Sequence, residues 1–173
     1  MEFQKDLKVL VNPLNIPRDT RNELLYHLIL INTGEIRMSD GILRDQIGTY
    51  QQMPEKVLKH YLANKEIAVQ MKNELIAGTT KNFGRLLTTA WQHKKKVSEK
   101  ISNEKIELIY QTAMDRGAIG GRIMGAGGGG HMIFYVDDIV KRRPLLRALE
   151  ALGAKHVPYS FDEMGLQTWL VKD

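Results

Sequence analysis

The chain has 173 residues, 43% of them hydrophobic, and a formal net charge of +5, which suits one globular core with room for an added helical layer. It contains no cysteine, so disulfides, thiolate catalysis and cysteine-ligated metals are excluded, and the spacing of the five histidines predicts no metal site. The positive charge favours anionic partners but does not select among phosphorylated metabolites, nucleic acids and acidic lipids.

The N-terminal sequence indicates a protein that stays in the cytoplasm. No run approaches the roughly 20 apolar residues of a membrane span, and "MEFQKDLKVL" lacks the basic and apolar regions of a secretory signal. We therefore expect a cytoplasmic protein without a membrane partner.

Two apolar runs near the N-terminus predict strands. These are "LKVLV" (7–11) and "LLYHLILI" (24–31), the second apolar enough to be buried on both faces. Between them, Asn12, Pro13, Asn15 and Pro17 interrupt regular structure.

The middle of the chain predicts four helices. Ser39 or Asp40 would cap the first, which runs to about Tyr50, and Pro54 would open a second that stops at Gly78. The third begins at Thr79 or Thr80 and carries the apolar stripe Phe83, Leu87, Trp91 and Val97. Ser102 would cap the fourth, which stops at Gly117.

After residue 130 the pattern returns to strands around one more helix. "HMIFYV" (131–136) and "LQTWLV" (166–171) predict strands, and 140–152 predicts an amphipathic helix with Pro144 in its first turn. The order of these elements predicts an α+β fold, in which helices cover one face of a mostly antiparallel sheet.

The sequence "GAGGGG" (125–130) is the most unusual feature of the chain. It is no P-loop, because neither Lys-Ser nor Lys-Thr follows, and it is no dinucleotide fingerprint, because a strand follows where that motif has a helix. The residues alone leave two explanations open: consecutive N–H groups that form an anion site, or close packing of backbone against backbone.

A resemblance extends this reading. "GAIGGRIMGAGGGGHMIFYV" resembles the C-terminal glycine motif of the GHMP kinases, the family of galactokinase, homoserine kinase and mevalonate kinase. The longer stretch from Phe83, and "LLYHLILINTGEIRMSDGILRDQ" (24–46), are similar to the branch of bacterial D-glycero-D-manno-heptose 7-phosphate kinases and related sugar kinases. The similarity covers nearly the whole chain and implies the family's C-terminal fold, a ferredoxin-like core with inserted helices.

The resemblance also implies that part of the family pattern is missing. Members are about twice as long, and their nucleotide loop and catalytic acidic residue lie in an N-terminal half that has no counterpart here. We therefore expect residues 1–173 to be one C-terminal domain, with 1–17 as the tail of the N-terminal domain. ATP and Mg²⁺ would serve the complete enzyme and would not bind tightly to this chain alone, which would be inactive by itself. Its expected partners are the sugar-phosphate substrate and either the missing N-terminal half or a second copy of itself.

The resemblance assigns candidate substrate and phosphate contacts but no catalytic residue. The glycine loop carries over as a wall of the substrate cleft: Gly125, Ala126, Gly127, Gly128, Gly129 and Gly130. Arg122 stands where the family often has lysine, so its guanidinium either meets phosphate or lies in water at a strand edge. Arg37 and Ser39 begin a helix near the expected cleft, where they form either an anion contact or a helix cap with a surface arginine.

Three neighbouring positions carry weaker signals. His131 replaces an apolar family residue, so we expect an inert, partly buried histidine. Trp91 and Lys94 match the branch pattern, but a tryptophan at helical spacing indicates a core position.

Three functions follow for testing. The first is the C-terminal half of an ATP-dependent kinase that phosphorylates the anomeric hydroxyl of a heptose 7-phosphate. The alternative is a non-catalytic metabolite-binding or regulatory module with the same fold. A nucleic-acid-binding domain ranks last, because the strands lack the aromatic pattern of single-strand binders.

Overall fold

The computed structural model describes residues 1–35, 39–162 and 164–171, without the side chain of Ser39. The helices among these residues are α1 (Arg18–His27), α2 (Ser39–Gln52), α3 (Pro54–Ala77), α4 (Thr80–Lys95), α5 (Glu104–Asp115) and α6 (Ile139–Ala151). The strands are β1 (Glu2–Phe3), β2 (Val9–Leu10), β3 (Leu28–Asn32), β4 (Gly120–Ile123), β5 (His131–Tyr135) and β6 (Lys155–His156). A short 3₁₀ turn, Glu99–Ile101, precedes α5.

A four-stranded antiparallel sheet organises the domain. Its order is β4-β5-β3-β6, so β5 and β3 are central and β4 is an edge strand. Leu28 pairs with Tyr135 and Asn32 with His131, while Gly120 also lies opposite Tyr135 from the other side. β1 and β2 form a separate two-stranded hairpin. The predicted α+β class with an antiparallel sheet is confirmed.

The larger hydrophobic cluster lies on one face of this sheet. It joins alternate residues of the central strands, such as Ile29, Ile31 and Phe134, to apolar side chains of α5 and α6, such as Ile109 and Leu145. Successive strand residues point to opposite faces, so this cluster fills one face only, and helices also pack on the other face, which the predicted one-sided arrangement did not include.

A smaller cluster lies on the opposite face. Tyr135 and Leu28 pack there against Leu24 of α1 and Leu87 of α4. α4 contributes to both clusters, because Trp91, one turn beyond Leu87, is fully buried in the larger one. The predicted core position of Trp91 is confirmed.

α3 begins and ends, and α4 begins, where the sequence predicts, but α4 stops at Lys95, before the predicted stripe residue Val97. Pro54 is the first residue of α3, where its missing N–H costs no hydrogen bond. Gly78 ends α3 in the left-handed conformation, with φ of +75°. Thr80 opens α4, and its hydroxyl lies 2.8 Å from the phenol oxygen of Tyr135 on the sheet.

One predicted strand, 166–171, is wrong, and another, 24–31, is wrong in its first half. Leu24–His27 belong to α1, because Pro17 starts a helix that places Thr20 and Leu24 four residues apart on its buried side. The strand starts only at Leu28. Residues 166–171 are described but form no strand, and Leu170 is 94% exposed. The predicted 7–11 strand shrinks to Val9–Leu10, and β6 was not predicted.

Two local details also differ from the prediction. The N-cap of α5 is Asn103, whose side chain accepts a hydrogen bond from the N–H of Ile106, whereas Ser102 donates to Glu107. Pro144 lies inside α6, because Asp138 caps the helix six residues earlier. Among the described residues, no helix combines the length and apolar character that crossing a membrane requires.

Candidate functional site

The glycine loop connects β4 to β5 and is closed at both ends by backbone hydrogen bonds. The N–H of Met124 donates to the carbonyl of His131 at 2.8 Å. The carbonyl of Gly130 accepts from the N–H of Thr33 at 2.8 Å and from its hydroxyl at 3.0 Å. The base of the loop is therefore fixed to the end of β3.

Two further hydrogen bonds hold the middle of the loop against its neighbours. The N–H of Gly128 donates to the carbonyl of Ile101 at 2.7 Å, and the N–H of Gly130 donates to the carbonyl of Glu35 at 2.8 Å. These two donors are thus occupied. The N–H groups of Gly125, Ala126, Gly127 and Gly129 have no partner within the described part of the chain and stay available to a ligand.

The glycines at the centre of the loop permit close contact between backbones. A Cβ on Gly129 would lie 2.6 Å from the carbonyl oxygen of Glu35, and one on Gly127 would lie 3.0 Å from Ile101. Gly125 and Gly130 face open space, but their φ angles of +64° and +81° disfavour other residues. Backbone packing therefore accounts for part of the glycine content, and conformation accounts for another part.

A cavity of about 300 Å³ adjoins the start of this loop. Its walls come from α2, α3, α4, the 3₁₀ turn and β4, through Gln46, Tyr61, Asn64, Lys94, Val97, Ile101 and Arg122. We call it the Lys94 pocket. Gln46 donates to the carbonyl of Ala126 at 3.2 Å, and the ammonium of Lys94 donates to the carbonyl of Gly125. The pocket and the glycine loop are thus one continuous site.

Two cations in the pocket are electrostatically unusual. Burial, together with the nearby charge of Arg122, lowers the pKa of Lys94 to about 8. Burial also lowers the pKa of Arg122. Both shifts arise because a charge removed from water without a counter-ion is unstable. Tyr61, on the α3 wall, has its pKa raised by burial and by Tyr50.

The structure describes the other predicted site residues to different extents and places them differently. Arg37 lies outside the described residues. Ser39 is the first residue of α2, and its side chain is not described. His131 is the first residue of β5 and is exposed, so the expected partial burial is wrong. Arg122 is partly buried at the inner edge of the pocket, so the interpretation as an arginine in open water does not hold.

Sequence reasoning missed the contributions of α2 and α3 to this site. Gln46, Tyr61 and Asn64 sit on ordinary amphipathic helices, and nothing in their spacing indicates a pocket. Only the packing of α2 and α3 beside α4 brings them to the loop. No group of three or more histidines, aspartates or glutamates suited to a metal ion is found within the described ranges.

Comparisons with known proteins support the resemblance. Residues 71–155 match the family model "GHMP kinases C terminal". The chain is 34% identical over 171 residues to D-glycero-alpha-D-manno-heptose 7-phosphate kinase of Campylobacter jejuni, covering 99% of this chain and 50% of that protein. The chain therefore spans about half the length of this curated relative.

Solved structures show the same fold. A putative sugar kinase from Campylobacter jejuni superposes with a TM-score of 0.69 at 32% identity, over 96% of this chain and 46% of that one. A D-glycero-D-manno-heptose 1-phosphate kinase from Bacteroides thetaiotaomicron gives a TM-score of 0.59 at 24% identity, over 90% of this chain and 39% of that one. The second likeness concerns the fold alone.

Proposed function

Because this chain carries the C-terminal domain of the GHMP kinases, we propose that it forms the substrate-binding wall of an ATP-dependent sugar-phosphate kinase in the cytoplasm. The substrate is a heptose 7-phosphate, and the phosphoryl acceptor is its anomeric hydroxyl. The observation that carries the proposal is the 34% identity over 171 residues to a heptose 7-phosphate kinase, with the glycine loop and the Lys94 pocket inside the matched region.

Under this proposal, the residues of the chain position the substrate. Phosphoryl transfer depends mainly on alignment of the acceptor hydroxyl and on neutralisation of phosphate charge. The loop supplies unpaired N–H groups at Gly125, Ala126, Gly127 and Gly129, and the neighbouring pocket supplies two cations. The contacts to Ile101 and Glu35 fix the loop, so the donors are preorganised.

The proposal assigns the nucleotide and its metal to a separate N-terminal half. Mg-ATP supplies the phosphoryl group when bound, and in the family the loop that holds it belongs to that half. Residues 1–17 would be the tail of the N-terminal domain. Their exposed apolar side chains support this assignment, since Phe3 is 80% and Leu7 92% exposed in a hairpin separate from the main sheet.

Complementation tests this function. The chain is mixed with Mg-ATP and D-glycero-D-manno-heptose 7-phosphate, alone and with the N-terminal half of the Campylobacter jejuni relative, and formation of ADP is measured. We expect turnover only in the presence of both halves. Turnover by the chain alone contradicts the assignment of the nucleotide site, and no turnover in either mixture contradicts the kinase function.

A non-catalytic metabolite-binding module is the second candidate, and one observation favours it. The Lys94 pocket brings two cations, Lys94 and Arg122, together with the polar side chains of Gln46 and Asn64, a lining that suits the binding of an anionic metabolite whether or not a reaction follows. Under this alternative the sugar phosphate binds, but no ADP forms in either mixture.

A further inference from the structure

The Lys94 pocket contains more positive charge than its own residues neutralise. No carboxylate is among its lining residues, and within the described part of the chain neither Lys94 nor Arg122 forms an ion pair. Neighbouring lysines differ. Lys95 pairs with Glu107 at 2.8 Å and Lys100 with Asp45 at 2.7 Å.

This contrast distinguishes the pocket from an ordinary basic surface. Among the described residues, carboxylates pair with Lys95 and Lys100 outside the pocket, and none pairs with the two cations inside it. A partly buried cation without a counter-ion destabilises the fold. Such an arrangement persists at functional sites, where a ligand supplies the missing charge. Two cations on different elements, α4 and β4, suit a ligand with a double negative charge.

The pocket also contains an acceptor that lacks a donor. The Oδ1 atom of Asn64, on α3, is buried and has no hydrogen-bond partner among the described residues. A buried acceptor left unpaired costs free energy, so a ligand that donates a hydrogen bond there gains affinity. The amide of Gln46 donates to the loop carbonyl of Ala126 and forms no hydrogen bond to Asn64.

Together these groups select the chemical class of the ligand. Oxygens of a phosphate accept hydrogen bonds from Lys94 and Arg122, and a sugar hydroxyl donates to Asn64. The phosphate chain of a nucleotide offers acceptors only, so it leaves Asn64 unpaired. The cavity volume of about 300 Å³ lies at the lower end of the range for small-molecule sites, roughly 300 to 1,000 Å³.

We infer that the Lys94 pocket binds the phosphate group of the sugar substrate, with Lys94 and Arg122 as its anion contacts and Asn64 as the acceptor for an adjacent hydroxyl. This inference rests on the proposed function for the identity of the sugar. It assigns specificity for a phosphorylated sugar to α3, α4 and β4. The phosphate of the sugar binds in the pocket and not at the adjacent unpaired N–H groups of the glycine loop.

Equilibrium binding to the chain tests the inference without any turnover. Isothermal titration at pH 7.5 compares heptose 7-phosphate, the unphosphorylated heptose, inorganic phosphate and ATP without metal. We expect heptose 7-phosphate to bind at least tenfold more tightly than each of the other three. Equal affinity for ATP or inorganic phosphate overturns the inference, and so does the absence of heptose 7-phosphate binding.

Substitutions locate the site. Lys94→Gln and Arg122→Gln should each weaken heptose 7-phosphate binding about 10- to 100-fold, because each removes a charge-assisted hydrogen bond. Lys96→Gln is the matched control. It removes the same charge from an exposed lysine two residues away that does not line the pocket, and it should leave the affinity unchanged. Equal losses in Lys96→Gln and Lys94→Gln overturn the inference.

The pH dependence gives a second readout. Lys94 is charged below its pKa of about 8, so the affinity should fall as the pH rises from 7 to 10, where a sugar phosphate stays dianionic. Of the groups that face Lys94, Arg122 stays charged, Tyr61 has a raised pKa, and Lys95 is paired with Glu107. Lys94→Arg should restore binding and remove the pH dependence, and a decline that persists in this variant overturns the assignment to Lys94.

These outcomes separate the inference from the proposed function. Binding that depends on Lys94 and Arg122, together with failure of complementation, leaves the pocket assignment intact and refutes the kinase. Turnover of heptose 7-phosphate in the complemented enzyme, with unchanged binding and KM in the Lys94→Gln and Arg122→Gln variants, supports the kinase and refutes the pocket assignment.

Discussion

The glycine loop and the two terminal segments contrast sharply, because the sequence predicts a strand within each terminal segment and only a connection between strands at 125–130. The loop has a fixed conformation, held by backbone hydrogen bonds to Ile101, Glu35 and Thr33. The terminal segments, residues 1–17 and 158–171, are rich in apolar side chains that stay in solvent, including Phe3, Leu7 and Trp169. The glycine loop, which has almost no side chains, is therefore held in place, whereas the apolar side chains of the terminal segments are exposed to solvent.

The contrast teaches that contact with the core, rather than hydrophobicity, decides which segments are fixed. The loop is short and lies between two paired strands, so its carbonyl and N–H groups meet backbone partners at close range. In the terminal segments, β1 and β2 pair only with each other, and residues 158–162 and 164–171 form no strand. Under the proposed function, an N-terminal half covers the apolar side chains of residues 1–17.

The largest expected effect tests how closely α4 approaches β4. In Gly120→Ala, the new Cβ would lie 1.8 Å from the carbonyl oxygen of Gly84, a backbone atom that cannot rotate away. We expect a loss of about 3 kcal/mol or more in the free energy of unfolding, since overpacking of this kind forces backbone shifts. Urea denaturation monitored by circular dichroism measures it.

Gly48→Ala in α2 is the matched control. A Cβ there meets nothing within 4 Å, and alanine is the better helix former, so stability should rise by about 0.5 to 1 kcal/mol. If Gly120→Ala stays within 1 kcal/mol of the wild type, the close approach of α4 to the sheet is not a rigid feature of the fold.

Two substitutions in the glycine loop should have intermediate effects on the free energy of unfolding. Gly129→Ala would press its Cβ to 2.6 Å from the carbonyl oxygen of Glu35 and break the hydrogen bond from Gly130. Gly130→Ala meets no atom but strains a backbone with φ of +81°, at a cost of roughly 1 to 2 kcal/mol. We expect Gly129→Ala to cost more, about 2 to 3 kcal/mol.

Amide hydrogen exchange separates the two variants. The N–H of residue 130 should lose its protection in Gly129→Ala, because its acceptor is displaced, and should keep much of it in Gly130→Ala. If both variants keep this protection, the contact between the loop and Glu35 does not determine the loop conformation.

The smallest effect compares the two tryptophans. Trp169 is 79% exposed, so Trp169→Ser should change the free energy of unfolding by less than about 0.5 kcal/mol. Trp91, in contrast, is fully buried. Iodide quenching checks the contrast in the intact chain, since it should affect only Trp169. A large loss in Trp169→Ser would place the C-terminal segment in the core.

Local signals predicted the middle of the chain well. Pro54, Gly78 and Thr80 fix the ends of α3 and α4, because proline and left-handed glycine act within one helical turn. The stripe that contains Leu87 and Trp91 likewise identifies the buried side of α4. These features can be predicted without knowing which other helices or strands pack against α3 and α4.

The ends of the sheet were harder to predict. The run 24–31 is continuously apolar, so periodicity does not locate the boundary between α1 and β3, and "LQTWLV" alternates like a strand but has no strand beside it. A strand forms only when a neighbour accepts its hydrogen bonds, and β3 pairs instead with Lys155–His156.

The amino-acid sequence by itself determined the α+β class, both ends of α3 and the start of α4, the central glycine loop and the resemblance to a kinase family, because each depends on local spacing or on residue identity. Only the tertiary structure decided that Lys94 and Arg122 share a pocket with Asn64. It also decided that the N–H groups of Gly128 and Gly130 donate hydrogen bonds to the carbonyls of Ile101 and Glu35. These groups come from segments far apart in the chain. Their meeting is set by the packing of α3 and α4 against β4, which no local pattern specifies.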